Sequence, residues 1–247
     1  MGGFRPRRVL VPVVVLAAVL TGACGSSTSV TPTAGAASDP AATATPSGRA
    51  VVDAFLRKFA SQDVPFHVTF NATVEVEGQR IPFAGDVDAV GSDAAGTVTV
   101  PVQGQMRTVE MVLFKGNAYG RVAGGNWGKL EVQQTQPINP FSRLRQGDDL
   151  RYSGMTERSG RQLHRLRTTK WIGEDPSKLS GSGLQRATIK NSTFDIFAES
   201  DGTPVEALLV FTMTGTSGGK AVELKGDVTY RFSNVGEKVT ITPPPVP

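Results

Sequence analysis

The sequence of 247 residues has few of the side chains on which covalent cross-links, metal sites and many active sites depend. It contains one cysteine (Cys24), two histidines and two tryptophans, and aromatic residues make up 7% of it. A single cysteine excludes an intramolecular disulfide framework. His67 and His164 lie far apart in sequence, without the partners typical of a metal site or a Ser-His-Asp triad. We therefore expect a protein that is not an enzyme, with no catalytic or metal-ligating residues and no cofactor.

Apolar runs long enough to span a bilayer are also missing. The longest apolar stretch, LVPVVVLAAVLTGAC, runs from Leu10 to Cys24, whereas a spanning helix needs about 20 apolar residues. Three arginines (Arg5, Arg7 and Arg8) precede it, and no acidic residue occurs before Asp39. A basic start followed by a short apolar run predicts a secretory signal peptide over residues 1–23.

The end of this stretch resembles a bacterial lipobox, in which a cysteine follows small residues, is acylated and becomes the first residue of the mature protein. Here the small residues are Thr21, Gly22 and Ala23, and the cysteine is Cys24. The large aliphatic residue usual at the position of Thr21 is absent. The resemblance implies a palmitate-type lipid anchor at Cys24 and a lipoprotein on the extracytoplasmic face of the cell membrane, since several acyl chains anchor stably. The alternative is a plain signal peptide with an incidental thiol.

The charge of the chain depends on that processing. The formal net charge is +4, and losing the three signal arginines lowers it by three, to +1. A nearly neutral mature chain argues against nucleic acid as a partner. After Cys24, residues 25–48 consist almost entirely of Ser, Thr, Ala, Gly and Pro, which predicts a disordered tether with a reach of roughly 25–30 Å.

Residues 49–242 predict a single folded domain, followed by a Pro-rich tail at 243–247. Apolar residues at spacings of three and four predict a helix over 49–62. The alternation in FHVTFNATVEV and IPFAGDVDAV predicts strands with one apolar face, and VEALLVFTM predicts a central strand covered on both faces. Residues 133–183 are less regular. We expect an α+β fold, with a strongly curved antiparallel half-barrel and helices packed on its concave side.

Three segments carry a resemblance to a known family: LFKGNAYGRVAGGNWGKLE, INPFSRL and VTYRFSNVGEKVTITPP. Together with the lipobox and tether, they resemble the LppX/LprG (LppX_LprAFG) group of actinobacterial lipoproteins. The resemblance implies a LolA/LppX-like half-barrel closed by helices, with a short final strand at 239–242. It further implies an apolar cavity that takes up acyl chains of lipids or lipoglycans for transport across the cell envelope, with a transporter partner of unknown identity.

On this resemblance we select apolar residues of the predicted strands as candidate lipid-cavity lining. They are Phe66, Val68, Phe70, Phe83, Val87, Leu209, Phe211 and Leu224. The alternative for each is ordinary packed core. If the core is filled, the protein is instead a tethered protein-interaction module, recognisable by an exposed apolar patch outside the concave face.

The middle of the domain is strongly basic. Eight basic residues stand against Asp148, Asp149 and Glu157; they are Arg143, Arg145, Arg151, Arg158, Arg161, Arg165, Arg167 and Lys170. One interpretation of RQLHRLRTTK is an edge strand whose charges discourage sheet pairing. The other makes Arg161, Arg165 and Arg167 candidate contacts for an anionic lipid headgroup or membrane surface.

Overall fold

A computed structural model describes residues 47–59, 63–102, 105–130, 141, 144, 150–172 and 185–245. One helix, α1 (Gly48–Phe59), precedes all of the strands. The strands are β1 (Phe66–Val76), β2 (Gln79–Val90), β3 (Asp93–Val102), β4 (Gln105–Phe114), β5 (Asn117–Val122), β6 (Gly128–Leu130), β7 (Arg151–Arg158), β8 (Arg161–Thr168), β9 (Gln185–Ala198), β10 (Pro204–Ser217) and β11 (Lys220–Ser233).

All eleven strands belong to one antiparallel sheet with the order β6-β5-β4-β3-β2-β1-β11-β10-β9-β8-β7. Strands β1–β6 form one meander and β7–β11 another, and the pairing of β1 with β11 joins them. Strands β6 and β7 are the two ends of the sheet, which is curved and open. The contacts of α1 and of the eleven strands lie between residues 47 and 245, so a protein that begins at Ser47 retains them.

The predicted α+β class, with helices packed on the concave side, is wrong. In the described part of the chain the fold is almost entirely antiparallel sheet, with a single helix of 12 residues. The error arose in the irregular middle, where β7 pairs with β8 and β8 pairs with β9 although their charged residues obscure the alternation. Cross-strand pairing here overrides a weak local pattern.

The alternation predicted for β1 is confirmed and continues across its neighbours. Phe66, Val68 and Phe70 are buried on one side of the strand, while His67 and Thr69 point to the other. Because directly paired residues share a face, the register extends this division over the sheet. We call the side of Phe66, Val68 and Phe70 the apolar face and the opposite side the polar face.

Glycines make room for aromatic rings on the apolar face. Gly85 lies opposite Phe70, and a Cβ atom at Gly85 would stand 2.2 Å from that ring. Gly226 lies opposite Phe211 with the same 2.2 Å approach. Each ring therefore covers the backbone of the neighbouring strand, as aromatic residues do beside strand glycines.

Three other predictions about strands are wrong. Strand β10 is central, but its polar side is not covered, since Val210 is 46% exposed. RQLHRLRTTK contributes β8, which lies between β7 and β9 and is not the edge of the sheet. The short final strand at 239–242 is absent from the described residues, where 238–245 have no regular structure.

Helix α1 packs on the apolar face at the β7–β8 end of the sheet. Ser47 caps it by accepting a hydrogen bond at Oγ from the Ala50 amide, 3.3 Å away. Its buried stripe of Val51, Val52, Phe55 and Phe59 joins the main core. The Phe141 ring lies 5.1 Å from that of Phe55 and 4.9 Å from that of Phe232, linking helix to sheet.

The β9–β10 turn fixes the other end of α1. Lys58 donates from Nζ to Asp201 Oδ2 over 3.0 Å and also bonds Thr203. Gly202 has φ of +82°, and a Cβ atom there would stand 2.3 Å from the Phe55 amide nitrogen. The turn therefore needs glycine both for its conformation and for the close approach of the helix backbone.

We predict that Gly202→Ala destabilises the domain by about 2 kcal/mol more than Gly236→Ala, because only the first change also forces the helix backbone away. Gly236 is the matched control: its φ is +86° and nothing lies within 4 Å of a Cβ atom there. Urea denaturation of both variants measures the difference, and equal losses would show that α1 does not rest on this turn.

The same turn predicts a dependence on acid. Burial raises the pKa of Asp201, but hydrogen bonds from Thr203 and Lys58 outweigh it and lower the pKa from 3.8 to about 2. A lowered carboxyl pKa stabilises the fold above the unfolded value, and that contribution disappears as the pH falls from 3.8 towards 2. Asp201→Asn should therefore flatten the plot of unfolding free energy against pH in this window; an unchanged slope contradicts the assignment.

Candidate functional site

The structure brings all eight candidate lining residues together on the apolar face. In β1 and β2, Val68 lies directly opposite Val87, and Phe83 lies opposite Ala72. Leu209 and Leu224, in β10 and β11, share that face through the same register. All eight are between 0% and 5% exposed, and all belong to one continuous core cluster. Side chains bordering water would keep more exposed area, so this part of the face is closed, and its role as a ligand cavity stays a prediction.

The apolar face reaches solvent at the other end of the sheet. Val122 is 48% exposed and Leu130 is 44% exposed. Val122 lies opposite Val109, which in turn lies opposite the buried Val98, so the register connects it with the core. Half-buried Met111 follows Val109 by two residues on β4 and is therefore on the same face. We call Val109, Met111, Val122 and Leu130 the open end.

Sequence reasoning missed the open end. Its residues lie on strands β4, β5 and β6, and Gly124 and Gly125 form the turn between β5 and β6. The available signal was the spacing of apolar residues around this turn, but exposure depends on what covers a strand, which spacing does not reveal.

A groove between the ends of β1 and β11 has a different character. Its volume is about 230 Å³, and its lining is mainly charged: Glu75, Glu77, Gly78, Ala221, Val222, Glu223 and Lys225. Carboxylates desolvated against an acyl chain would be costly. This groove therefore does not suit an apolar ligand.

The three candidate arginines lie together on the polar face and pair with acidic side chains. Asp195, whose side chain is 5% exposed, accepts from both Arg165 and Arg167. Arg165 donates from Nε and Nη2 over 3.0 and 2.7 Å, and Arg167 from the same atoms over 2.7 and 2.9 Å. Arg161 pairs with Glu199. Bidentate pairs of this kind fix both partners in position.

This placement separates the two halves of the predicted site. The candidate lining residues are on the apolar face, whereas the paired Arg165 and Arg167 are on the polar face, so the thickness of the sheet lies between them. A ligand that lies on the apolar face does not meet these guanidinium groups. A headgroup role inside the same pocket is therefore excluded for Arg165 and Arg167.

The two histidines are also placed apart. His67 is on the polar face, with Nδ1 2.9 Å from Asp88 and Nε2 3.6 Å from Asp86. His164 is buried, and its Nδ1 lies 3.3 Å from the Tyr152 hydroxyl. Among the described residues, no group of three or more His, Cys, Asp or Glu side chains is arranged to hold a metal ion.

Several predictions fall on residues that the structure does not describe. They include the signal peptide, the acylation of Cys24, the tether up to residue 46, and most of the INPFSRL segment. Within the described ranges, no helix combines the length and apolar character needed to cross a membrane.

Comparison with known proteins gives only distant likenesses. No protein-family model matches the chain, and no curated protein sequence matches it. Among solved structures, the chain is similar to the lipoprotein LppX of Mycobacterium tuberculosis, at 17% identity over 79% of this chain and 98% of that chain, with a TM-score of 0.46. It is also similar to the MucA/MucB complex of Pseudomonas aeruginosa, at 14% identity over 73% and 56% of the two chains, with a TM-score of 0.34.

A third likeness is to an uncharacterized conserved protein of Thermus thermophilus, at 12% identity over 73% and 85% of the two chains, with a TM-score of 0.33. With identities of 17% or less and TM-scores of 0.46 or less, none of the three carries an argument about ligand, partner or activity. Membership of the LppX/LprG group stays a prediction.

The double pairing at Asp195 predicts a marked difference between two acidic residues. Asp195→Asn should lower the unfolding free energy by about 2 kcal/mol, because it leaves two partly buried guanidinium groups without their counter-charge. Glu199→Gln, which removes the more exposed partner of Arg161, should cost about 0.5 kcal/mol or less. Urea denaturation at neutral pH measures both, and equal effects would contradict the ranking.

Proposed function

We propose that this chain is a lipoprotein of the cell envelope that binds acylated lipids or glycolipids against the apolar face of its sheet. It carries or presents them on the extracytoplasmic side without altering them chemically. The observation that carries the proposal is the open end, where apolar surface continuous with the core is exposed to water.

An extended acyl chain suits this geometry. It needs a strip of apolar surface with no fixed charges along it, and each methylene transferred from water gains about 0.8 kcal/mol. From Val122 and Leu130 the strip continues through Val109 and Met111 to Val98 and the closed core. Entry at the open end therefore leads directly towards the candidate lining residues.

Binding also requires the packed side chains in the closed part of the apolar face to move apart. Its residues are packed in the state described here, so a chain that enters must displace protein contacts. The cover over the β7–β8 end is α1, which the Lys58–Asp201 ion pair and Gly202 hold in place. The opposite end has no such helix among the described residues, and we propose that uptake begins there.

The sequence supports the location. The predicted signal peptide and the predicted acylation of Cys24 support a domain outside the cytoplasm that a tether holds to the membrane. A carrier with this anchor samples lipids at the membrane surface while remaining attached to it.

The closed packing of the eight lining residues supports a second candidate, a tethered protein-interaction module with a filled core. In that case the open end contacts a protein. The two candidates differ in one respect: only the carrier takes up lipid as an isolated domain.

The test is native mass spectrometry of residues 47–247 expressed in a lipid-producing host and purified without detergent. We predict adducts of lipid mass, and we expect Val122→Asp to reduce the bound fraction roughly tenfold, because it places a carboxylate where the acyl chain enters.

Val210→Asp is the matched control. Val210 is the same residue type and is 46% exposed, but it lies on the polar face of β10. It should leave the adducts unchanged. A bare mass, with no uptake of added phospholipid or glycolipid, would reject the carrier and favour the interaction module.

A further inference from the structure

The polar face has an excess of positive charge at the β7–β9 end. Five arginines of β7 and β8 stand on this part of the sheet against three carboxylates. The arginines are Arg151, Arg158, Arg161, Arg165 and Arg167, and the carboxylates are Asp195, Glu199 and Glu206, the last of which pairs with Arg158. Five positive charges against three negative ones leave an excess of two. We call this part of the polar face the arginine end.

The ion pairs leave donor capacity on these arginines. A guanidinium group has five N–H donors, and Arg165 and Arg167 each direct two nitrogens to Asp195. Their side chains remain 32% and 41% exposed, and that of Arg161 is 56% exposed. The pairs therefore orient the guanidinium groups at the surface without withdrawing them from it.

Arg158 and Phe197 add rigidity to this surface. The Arg158 guanidinium lies 4.4 Å from the centre of the Phe197 ring and pairs with Glu206. Both contacts restrict the rotamers of the Arg158 side chain before any ligand binds, so binding costs less conformational entropy.

The centre of the polar face has the opposite charge. Asp86 and Asp88 of β2 and Asp227 of β11 lie there, on strands adjacent to β1, and outnumber Arg231 of β11. An anionic surface is attracted to the arginine end and repelled by this central region. The charge pattern thus specifies which part of the sheet faces such a surface.

The chain enters the domain at the β7 edge of the sheet, next to the arginine end but on the apolar face. Gly48, the first residue of α1, packs on that face against the Tyr152 ring of β7, the edge strand that also carries Arg158. Exposed Arg49 and Arg57 on α1 lie at the same end of the sheet. An anchor upstream of Ser47 therefore holds the β7 edge closest to the membrane, which raises the effective concentration of the adjoining arginine end there.

We propose that the arginine end docks on an anionic phospholipid bilayer. The excess positive charge attracts the anionic lipids. The position at which the chain enters the domain brings this surface to the membrane that holds the anchor. The second part rests on the envelope anchoring proposed above, while the first rests on the charges alone. Basic side chains near a bilayer surface are attracted by its anionic lipids.

The test is co-sedimentation of residues 47–247, which lack the anchor, with vesicles of phosphatidylcholine alone or with about one quarter phosphatidylglycerol. We expect binding only to the anionic vesicles, weakened by added salt. The double variant Arg161→Gln/Arg167→Gln should weaken binding roughly 25-fold, about fivefold for each charge. Arg165 still holds Asp195 in that variant, so no buried carboxylate loses its only partner.

Lys190→Gln/Lys225→Gln is the matched control. It also removes two exposed positive charges, both paired with Glu223, at the far end of strands β9 and β11. We expect a change of about twofold or less, because at roughly 3.3 Å per residue these groups lie well beyond a Debye length from Arg161. Far-ultraviolet circular dichroism and urea denaturation verify that both double variants fold.

Each remaining outcome decides against the proposal. Absent binding to anionic vesicles overturns it, and so do equal losses in the two double variants. Stronger binding to soluble polyglutamate than to vesicles of equal charge would assign the surface to an acidic protein.

The lipid-carrier proposal is tested independently, because its measurement is the mass of bound lipid and not the binding to vesicles. Val122→Asp should reduce the adducts roughly tenfold and leave vesicle binding intact.

Discussion

The pairing of β1 with β11 is the interaction on which the rest of the structure depends. These strands are separated by most of the domain in sequence, yet they align over ten residue pairs from His67–Ser233 to Val76–Leu224. Closing so long a loop costs conformational entropy, which the apolar residues of both strands offset by burial against their neighbours. Without this pairing the two meanders would be separate sheets, each with an exposed edge and half a core. The continuous apolar face exists only because the two are joined.

Local pattern was enough to predict the strands where burial is one-sided. Strand β1 alternates strictly, and β2 and β11 follow it, so their faces and their share of the core were predictable from the sequence. The prediction for strand β10 was wrong. Its apolar residues on both faces indicated that other elements cover both faces, whereas Val210 is exposed to solvent. Strands β7 and β8 were obscured by their charges. Their assignment depends on the pairing of β7 with β8 and of β8 with β9, which is a tertiary effect.

The candidate site shows the same limit. The eight lining residues share a face because each strand alternates and because the strands pair in a particular register. The alternation could be predicted from the sequence, but the register could not. The position of Arg165 and Arg167 on the opposite face follows from their pairing with Asp195, 30 and 28 residues further along the chain. No spacing rule connects residues that far apart. Acidic partners of a basic run are therefore found only once the strand order is known.

The strand order has a mechanical consequence. The open end belongs to β4–β6 at one margin of the sheet, while the chain enters at β7, the other margin. Ten strand-to-strand steps of about 4.8 Å separate the margins, or up to roughly 48 Å measured along the sheet. Because neighbouring strands are hydrogen-bonded in this order, the sheet keeps the open end at a fixed separation from the strand against which α1 begins. A domain held at residue 47 would therefore present the open end far from its point of attachment.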